Sequence, residues 1–231
     1  MTEIRLFATN AVRSVLDELL PTFERSSAIK AHIDYNTTAQ TLALLRGNAS
    51  ADAVIATEAG INELTALGKI IAGSRTNLAA TSIGVAVRKG APKPDIETVD
   101  AFKRTLLDAK SVAYTASGLS GMYFAKLIER LGITEQIKAK SQIRPGGLIA
   151  EVVVAGEAEL AVQMVSELLS VPGADLVGLL PAEINQTSMI AAGILSSTQR
   201  ASEARALIQH LASPDAAGVF RAKGLTPVAN K

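Results

Sequence analysis

Residues 4–23 read Ile-Arg-Leu-Phe-Ala-Thr-Asn-Ala-Val-Arg-Ser-Val-Leu-Asp-Glu-Leu-Leu-Pro-Thr-Phe, and the hydrophobic period changes in the middle of the stretch. Ile4, Leu6 and Ala8 alternate along a strand, whereas Val12, Val15, Leu16, Leu19 and Phe23 recur at helical spacing. Thr9-Asn10 stands at the switch, and both residue types cap helices. The motif is strand, capped turn, helix, and it returns. Ile29 to Tyr35 reads as a strand, Asn36-Thr37-Thr38 as a cap, and Leu42 to Arg46 as a short helix ended by Gly47. Ala53 to Ala56 is apolar, and Glu58 to Leu67 is helical up to Gly68. Strands alternating with short helices imply βα units and a largely parallel sheet.

Ile83 to Val87 is a fourth strand, running into Lys89-Gly90-Ala91-Pro92-Lys93-Pro94, a segment that sustains neither helix nor ladder. A second set of units follows. Thr98 caps a helix through Leu107, Ser111 to Tyr114 is a strand, and Ser117 to Leu131 is a helix closed by Gly132. Lys140 to Ile143 reads as a strand, Gly147 to Ala155 as a helix, Glu159 to Gln163 as a buried strand and Asp175 to Leu179 as another. Ser188 to Leu195 is a long apolar β stretch, after which helices start at Ser202 and Pro214.

Composition narrows the function classes. Of 231 residues, 23 are Lys or Arg and 22 Asp or Glu, leaving a formal charge of +1 with no basic cluster. There is no Trp and there are only five Phe and three Tyr. Aromatic platforms and a basic stripe are both missing, so nucleic acid is not an expected partner. Cysteine is absent, which removes disulfides, thiolate metal sites and a cysteine nucleophile. His32 and His210 lack metal-site spacing, and no Walker loop, dinucleotide fingerprint or nucleophile elbow occurs, so neither metal nor cofactor is expected. No apolar run approaches the roughly 18 residues of a membrane span, and no membrane insertion is expected. The N-terminus enters a strand without a basic region or apolar leader. Two localisations fit: periplasmic if a signal was trimmed, cytoplasmic if Met1 is native.

In open parallel sheets, ligands bind beyond the carboxyl ends of strands, where helix N-termini present unpaired N–H groups. The turns at those positions are Thr9-Asn10, Asn36-Thr37-Thr38, Thr57-Glu58, Ser117 to Gly121, Pro145-Gly146-Gly147 and Gln163 to Ser166. Five of the six are rich in hydroxyl, amide or glycine, a set of neutral donors suited to an anion, although the same residues are ordinary N-caps. Arg75, Arg88 and Arg144 lie near strand ends, where a guanidinium can fork onto a carboxylate. Arg144 is preferred among them, because Pro145-Gly146-Gly147 is expected to open a helix aimed at the same spot. Glu58 and Glu167 are acids at such turns and are the candidate bases.

These segments together, with Ala51-Asp52-Ala53-Val54-Ile55-Ala56, Ile83-Gly-Val-Ala-Val-Arg-Lys-Gly-Ala-Pro, Gly156-Glu-Ala-Glu-Leu-Ala-Val-Gln and Ser213-Pro-Asp-Ala-Ala, resemble the molybdate-binding-like branch of the bacterial extracellular solute-binding proteins. The resemblance spans nearly the whole chain. It implies a type II periplasmic-binding-protein fold: two α/β lobes, each a mixed, mostly parallel sheet flanked by helices, with the ligand cleft between them. Lobe 1 would take both chain ends, residues 1–82 and 189–231, and lobe 2 residues 83–188. The crossovers would lie near Thr81 to Val87 and Gln186 to Leu195. The family's oxyanion pocket, carried across, falls on Thr9, Asn10, Thr37, Thr38, Ser120 and Gly121, with Ser117, Arg144, Gly146, Gln163 and Ser166 adding polar groups around it. The family's Tyr falls on Met164, which cannot donate a hydrogen bond, and Thr9-Asn10 replaces a Ser. These departures imply a small organic acid rather than molybdate.

The leading expectation is a molybdate-binding-like substrate-binding component of an ABC transporter that takes a small anionic solute, an organic acid or an oxyanion, with the permease as its partner. The alternative is an isomerase of an unsaturated polycarboxylate, because the sequence is also similar to the aconitate isomerase sub-branch of the same fold. A ligand-sensing module is a third reading, weakened by the lack of a helix-turn-helix segment.

Overall fold

The computed structural model describes residues 2–228. From the N-terminus the chain forms β1 (Thr2–Thr9), a 3-10 turn (Asn10–Val12), α1 (Arg13–Ser27), β2 (Ile29–Asn36), α2 (Thr38–Arg46), β3 (Ala53–Thr57), α3 (Glu58–Ala66) and the long β4 (Thr76–Arg88). It continues through α4 (Val99–Asp108), β5 (Val112–Thr115), α5 (Leu119–Arg130), α6 (Thr134–Lys138), β6 (Ser141–Arg144), α7 (Ala150–Val154), β7 (Leu160–Met164), α8 (Val165–Leu169) and β8 (Ala174–Leu179). It ends in β9 (Thr187–Ile194), α9 (Ala201–Leu211), α10 (Pro214–Ala222) and β10 (Thr226–Pro227). Two compact units result: residues 1–81 with 188–231, and residues 82–187.

In the first unit the sheet order is β2-β1-β3-β9-β4, and β10 adds to β4 through Thr226 opposite Ala80. β1 runs parallel to both β2 and β3, so three strands end side by side, with Thr9 level with Asn36. Strand alternation sends Ile4, Leu6 and Ala8 into one core with Val15, Leu16, Leu207 and Phe220. Phe7, Val54 and Ala56 face the other way, onto Ile61, Leu64 and Leu45. A sheet covered on both faces needs apolar residues at successive positions, which is why β3 reads Ala-Val-Ile-Ala. Asp52 sits buried just before β3, where its carboxylate accepts from the Arg5 amide at 2.8 Å and from the Thr198 hydroxyl at 2.5 Å.

The second unit is built on the carboxyl half of β4, which pairs antiparallel with β7 on one side and β8 on the other. β7, β5 and β6 then follow in parallel. Val112, Tyr114, Leu160 and Val162 pack on Phe102, Phe124 and Leu127. Ala113 and Ala161 face Ile149, Val153 and Leu168. Asn185 closes this unit: its side chain accepts from the Ile83 amide and donates to the Ile83 and Leu180 carbonyls, each at 3.1 Å.

Three local expectations change. Helix α2 starts at Thr38 rather than Leu42, because Thr37 and Gln40 form a reciprocal capping box. β4 begins at Thr76, extending well before Ile83. Pro145-Gly146-Gly147 is a bend and not a helix start; Gly147 has φ +93° and the helix is confined to Ala150–Val154. α6 was not anticipated, since five residues give too little periodicity to read.

Candidate functional site

Each unit presents polar residues at the carboxyl ends of its parallel strands, and the helix caps separate the occupied groups from the available ones. In the first unit, Thr37 accepts from the Gln40 amide at 3.2 Å while its own amide donates to Gln40 Oε1 at 2.9 Å. Thr38 Oγ1 accepts from the Thr57 amide at 3.3 Å, linking the ends of β2 and β3, and Thr57 caps α3 through the Gly60 amide at 3.3 Å. These hydroxyls keep their own protons for a ligand. Thr9 is buried and makes no side-chain cap over the turn that follows it. Asn10 Oδ1 accepts from Arg13 Nη2 at 3.4 Å.

In the second unit the long helix α5 starts from Gly118, with no side chain capping its first turn. The amides of that turn therefore lack an intramolecular partner and present the positive end of a 12-residue helix. Thr115, at the end of β5, is 2% exposed, and its hydroxyl has no hydrogen-bond partner. The turn is pressed onto it: a Cβ on Gly121 would come 1.8 Å from the Thr115 carbonyl oxygen, and one on Gly118 would come 2.5 Å from Thr115 Oγ1. Only glycine fits at Gly121. Ser120 is buried beside it. Ser117 is committed elsewhere, donating to the Pro145 carbonyl and so tying this turn to the bend that contains Gly146.

Several residues singled out in the sequence have defined structural duties. Gln163 is 2% exposed, accepting from the Ile149 amide and donating to the Gly147 carbonyl, both at 2.8 Å. Its amide shapes the bend. Arg144 is level with Thr115 in the β5–β6 ladder but pairs with Glu157, and both side chains are about half exposed. Arg75 pairs with Glu58 and also bonds Asn62 and Asn77, so the charge of this candidate base is already compensated. Arg88 ends β4 on the surface. Met164, at the end of β7, is buried. Ser166 is buried as well.

Glu167 differs from every other acid. It is 9% exposed, and burial pushes its carboxyl from the ordinary 4.5 up to about 8, opposed by the hydrogen bond it takes from the Met164 amide. Glu167 lies in the first turn of α8, directly after the carboxyl end of β7. A carboxyl with that affinity can both hold and release a proton near neutral pH. Sequence reasoning missed Arg13 and Thr115. Thr115 lies two residues before the Ser117 to Gly121 turn. The signal for Arg13 would have been its place at the first helical position after the Thr9-Asn10 turn.

Among the described residues no group of three His, Asp or Glu side chains could hold a metal ion. No helix there is long and apolar enough to cross a membrane.

The chain is built of repeated βα units whose parallel strands end in hydroxyls, glycines and an uncapped helix start, the layout of α/β folds that bind ligands beyond their strand ends. The chain belongs to the bacterial extracellular solute-binding protein family, whose profile matches residues 4–226. It is 36% identical over 234 aligned residues to the aconitate isomerase of a Pseudomonas species, covering 99% of this chain and 89% of that protein. The periplasmic molybdate-binding protein of Azotobacter vinelandii superposes with a TM-score of 0.81 at 16% identity, over 99% of this chain and 100% of that one. The sulfate-binding protein of Mycobacterium tuberculosis does so with a TM-score of 0.78 at 16% identity, over 99% and 88%. At such identities the structural likeness establishes the fold. The family resemblance and fold class read from the sequence are borne out.

Proposed function

We propose that this protein binds a small organic anion carrying more than one carboxylate, held by donors at the carboxyl ends of its parallel strands. The observation that carries this reading is the uncapped N-terminus of α5 over the buried, unpartnered Thr115 hydroxyl, because unfilled donors of that kind call for an acceptor. Ser120 and Gly121 add neutral donors beside it, and Thr9, Asn10, Thr37 and Thr38 form the corresponding donor set at the strand ends of the first unit. Met164, where a tetrahedral-oxyanion site would place a hydroxyl donor, favours an organic ligand with apolar carbon between its charges. The full-length likeness to a protein named aconitate isomerase supports the same class. As a member of a solute-binding family, such a protein would hand its ligand to an ABC transporter permease.

Glu167 favours a second reading, isomerisation of the bound acid. A polycarboxylate with a CH2–C=CH unit loses a proton from the CH2 carbon, and the C–H electrons form the new double bond. The old π pair then takes a proton at the far carbon, so the double bond has moved and no net atom is gained or lost. In this reading Glu167 takes and returns that proton, which its raised affinity supports, while the α5 amides offset the charge that spreads onto the adjacent carboxylate.

A thermal-shift screen against oxyanions, dicarboxylates and tricarboxylates tests the binding reading. A ligand at 100 times its dissociation constant adds about 2.7 kcal/mol of stability. Incubating each hit with the protein and resolving the double-bond isomers by NMR then tests turnover. Binding without a second isomer leaves a receptor; binding with conversion between isomers makes the protein an isomerase.

A further inference from the structure

Arg13 opens α1, just past the 3-10 turn that follows β1. Its guanidinium carbon lies 4.0 Å from the centroid of the Tyr35 ring, and its Nη2 donates to Asn10 Oδ1 at 3.4 Å. Tyr35 is the penultimate residue of β2 and stands level with Ala8 of β1, which places the stack at the carboxyl end of this sheet. The Tyr35 hydroxyl donates to Asp17 Oδ1 at 3.3 Å, one turn further along α1. Arg13 Nε is buried and has no hydrogen-bond partner. Arg5, Arg46, Arg75 and Arg144 each pair with a carboxylate, but Arg13 pairs with none among the described residues.

Tyr35 does not neutralise this charge. Burial and the Asp17 carboxylate push its phenol well above the ordinary value, against the pull of Arg13, so the ring stays uncharged at physiological pH. The ring face attracts the cation without replacing an anion, and the stack limits the freedom the guanidinium has left to lose on binding. The result is a half-buried, oriented and uncompensated fork that touches a candidate ligand residue. We infer that Arg13 binds a carboxylate of the ligand and sets the preference for a polycarboxylate over a tetrahedral oxyanion. This rests on the polycarboxylate reading above. Neutral donors suffice for an oxyanion held among amides and hydroxyls; a further carboxylate is what a fork matches.

The test is calorimetric titration of the full chain with trans-aconitate at low and high salt, using the parent, Arg13→Gln and Arg13→Lys, with circular dichroism confirming the fold. Arg13→Gln should weaken trans-aconitate binding on the order of tenfold to a hundredfold. It should also flatten the salt dependence, and Arg13→Lys should recover only part of the loss, since an ammonium lacks the fork. If the parent binds trans-aconitate and Arg13→Gln binds it within about twofold at matched salt, the assignment of Arg13 is overturned while the polycarboxylate reading stands. If the parent binds no carboxylate, both fall. Should the Gln variant fail to fold, a Lys variant that matches the parent at both salt concentrations overturns the assignment.

Discussion

Replacing Gly121 by Ala adds one carbon where the structure has no room. The new Cβ would sit 1.8 Å from the Thr115 carbonyl oxygen and 2.6 Å from its hydroxyl. The first contact is with the backbone at the end of β5, so no side chain can turn away to relieve it. Helix propensity argues the opposite way, favouring Ala over Gly by about 1 kcal/mol in a helix interior. Overpacking of this kind costs about 1–3 kcal/mol even after relaxation, and a clash with backbone at 1.8 Å belongs at the upper end, which leaves about 2 kcal/mol of net destabilisation after the propensity gain. At about 2–4 °C per kcal/mol for a chain of this size, the Tm should fall by roughly 4–8 °C. Gly218 in α10 is the internal control: it too lies in a helix, but a Cβ there meets nothing within 4 Å. Gly218→Ala should raise stability by about 0.5–1 kcal/mol. Denaturant unfolding of both variants reads the pair. Because the relief in Gly121→Ala is to push α5 off β5, ligand affinity should drop with stability. A Gly121→Ala protein as stable as Gly218→Ala would refute the close packing of this turn and the donor geometry built on it.

Glu167 gives a pH signature of definite sign. Its folded affinity, about 8, exceeds the ordinary 4.5, so the folded state holds more protons between those values and stability falls as pH rises through that window. Glu167→Gln should remove this slope and be more stable than the parent above pH 8, measured by urea unfolding at pH 5, 7 and 9; a parallel slope in both proteins would contradict the buried carboxyl. Asn185→Ala should cost about 2–4 kcal/mol, because it leaves the Ile83 amide and the Leu180 carbonyl without their partner, the Ile83 carbonyl keeping the Leu180 amide; an unfolding midpoint within experimental error of the parent would show that water replaces the side chain without loss.

The strand-turn-helix rhythm was legible in residues 4–23 because both periods are written in apolar residues, and the family resemblance carried the same architecture across the chain. The site was legible as a set of turns but not as a set of contacts. Gln163 looks like a ligand group in sequence, yet it spans a bend 14 to 16 residues away. Arg144 looks free until Glu157 is placed beside it, and Glu58 until Arg75 is. Arg13 is the reverse case. At the first position of a helix an arginine reads as a solvated side chain, and only the folding of β2 against β1 brings the Tyr35 ring beneath it. Long-range pairing decides which polar groups are used up, and one-dimensional patterns do not record it. The raised affinity of Glu167 follows the same logic, since it depends on how completely the surrounding elements exclude water.

The central claim is that the ligand is an organic polyanion, and competitive calorimetry tests it directly. The parent protein is titrated with trans-aconitate alone, and then again in the presence of excess molybdate or sulfate at constant ionic strength. The account predicts saturable binding of the tricarboxylate that neither oxyanion displaces. Tight binding of molybdate or sulfate, with no heat from trans-aconitate or from any dicarboxylate, would contradict it.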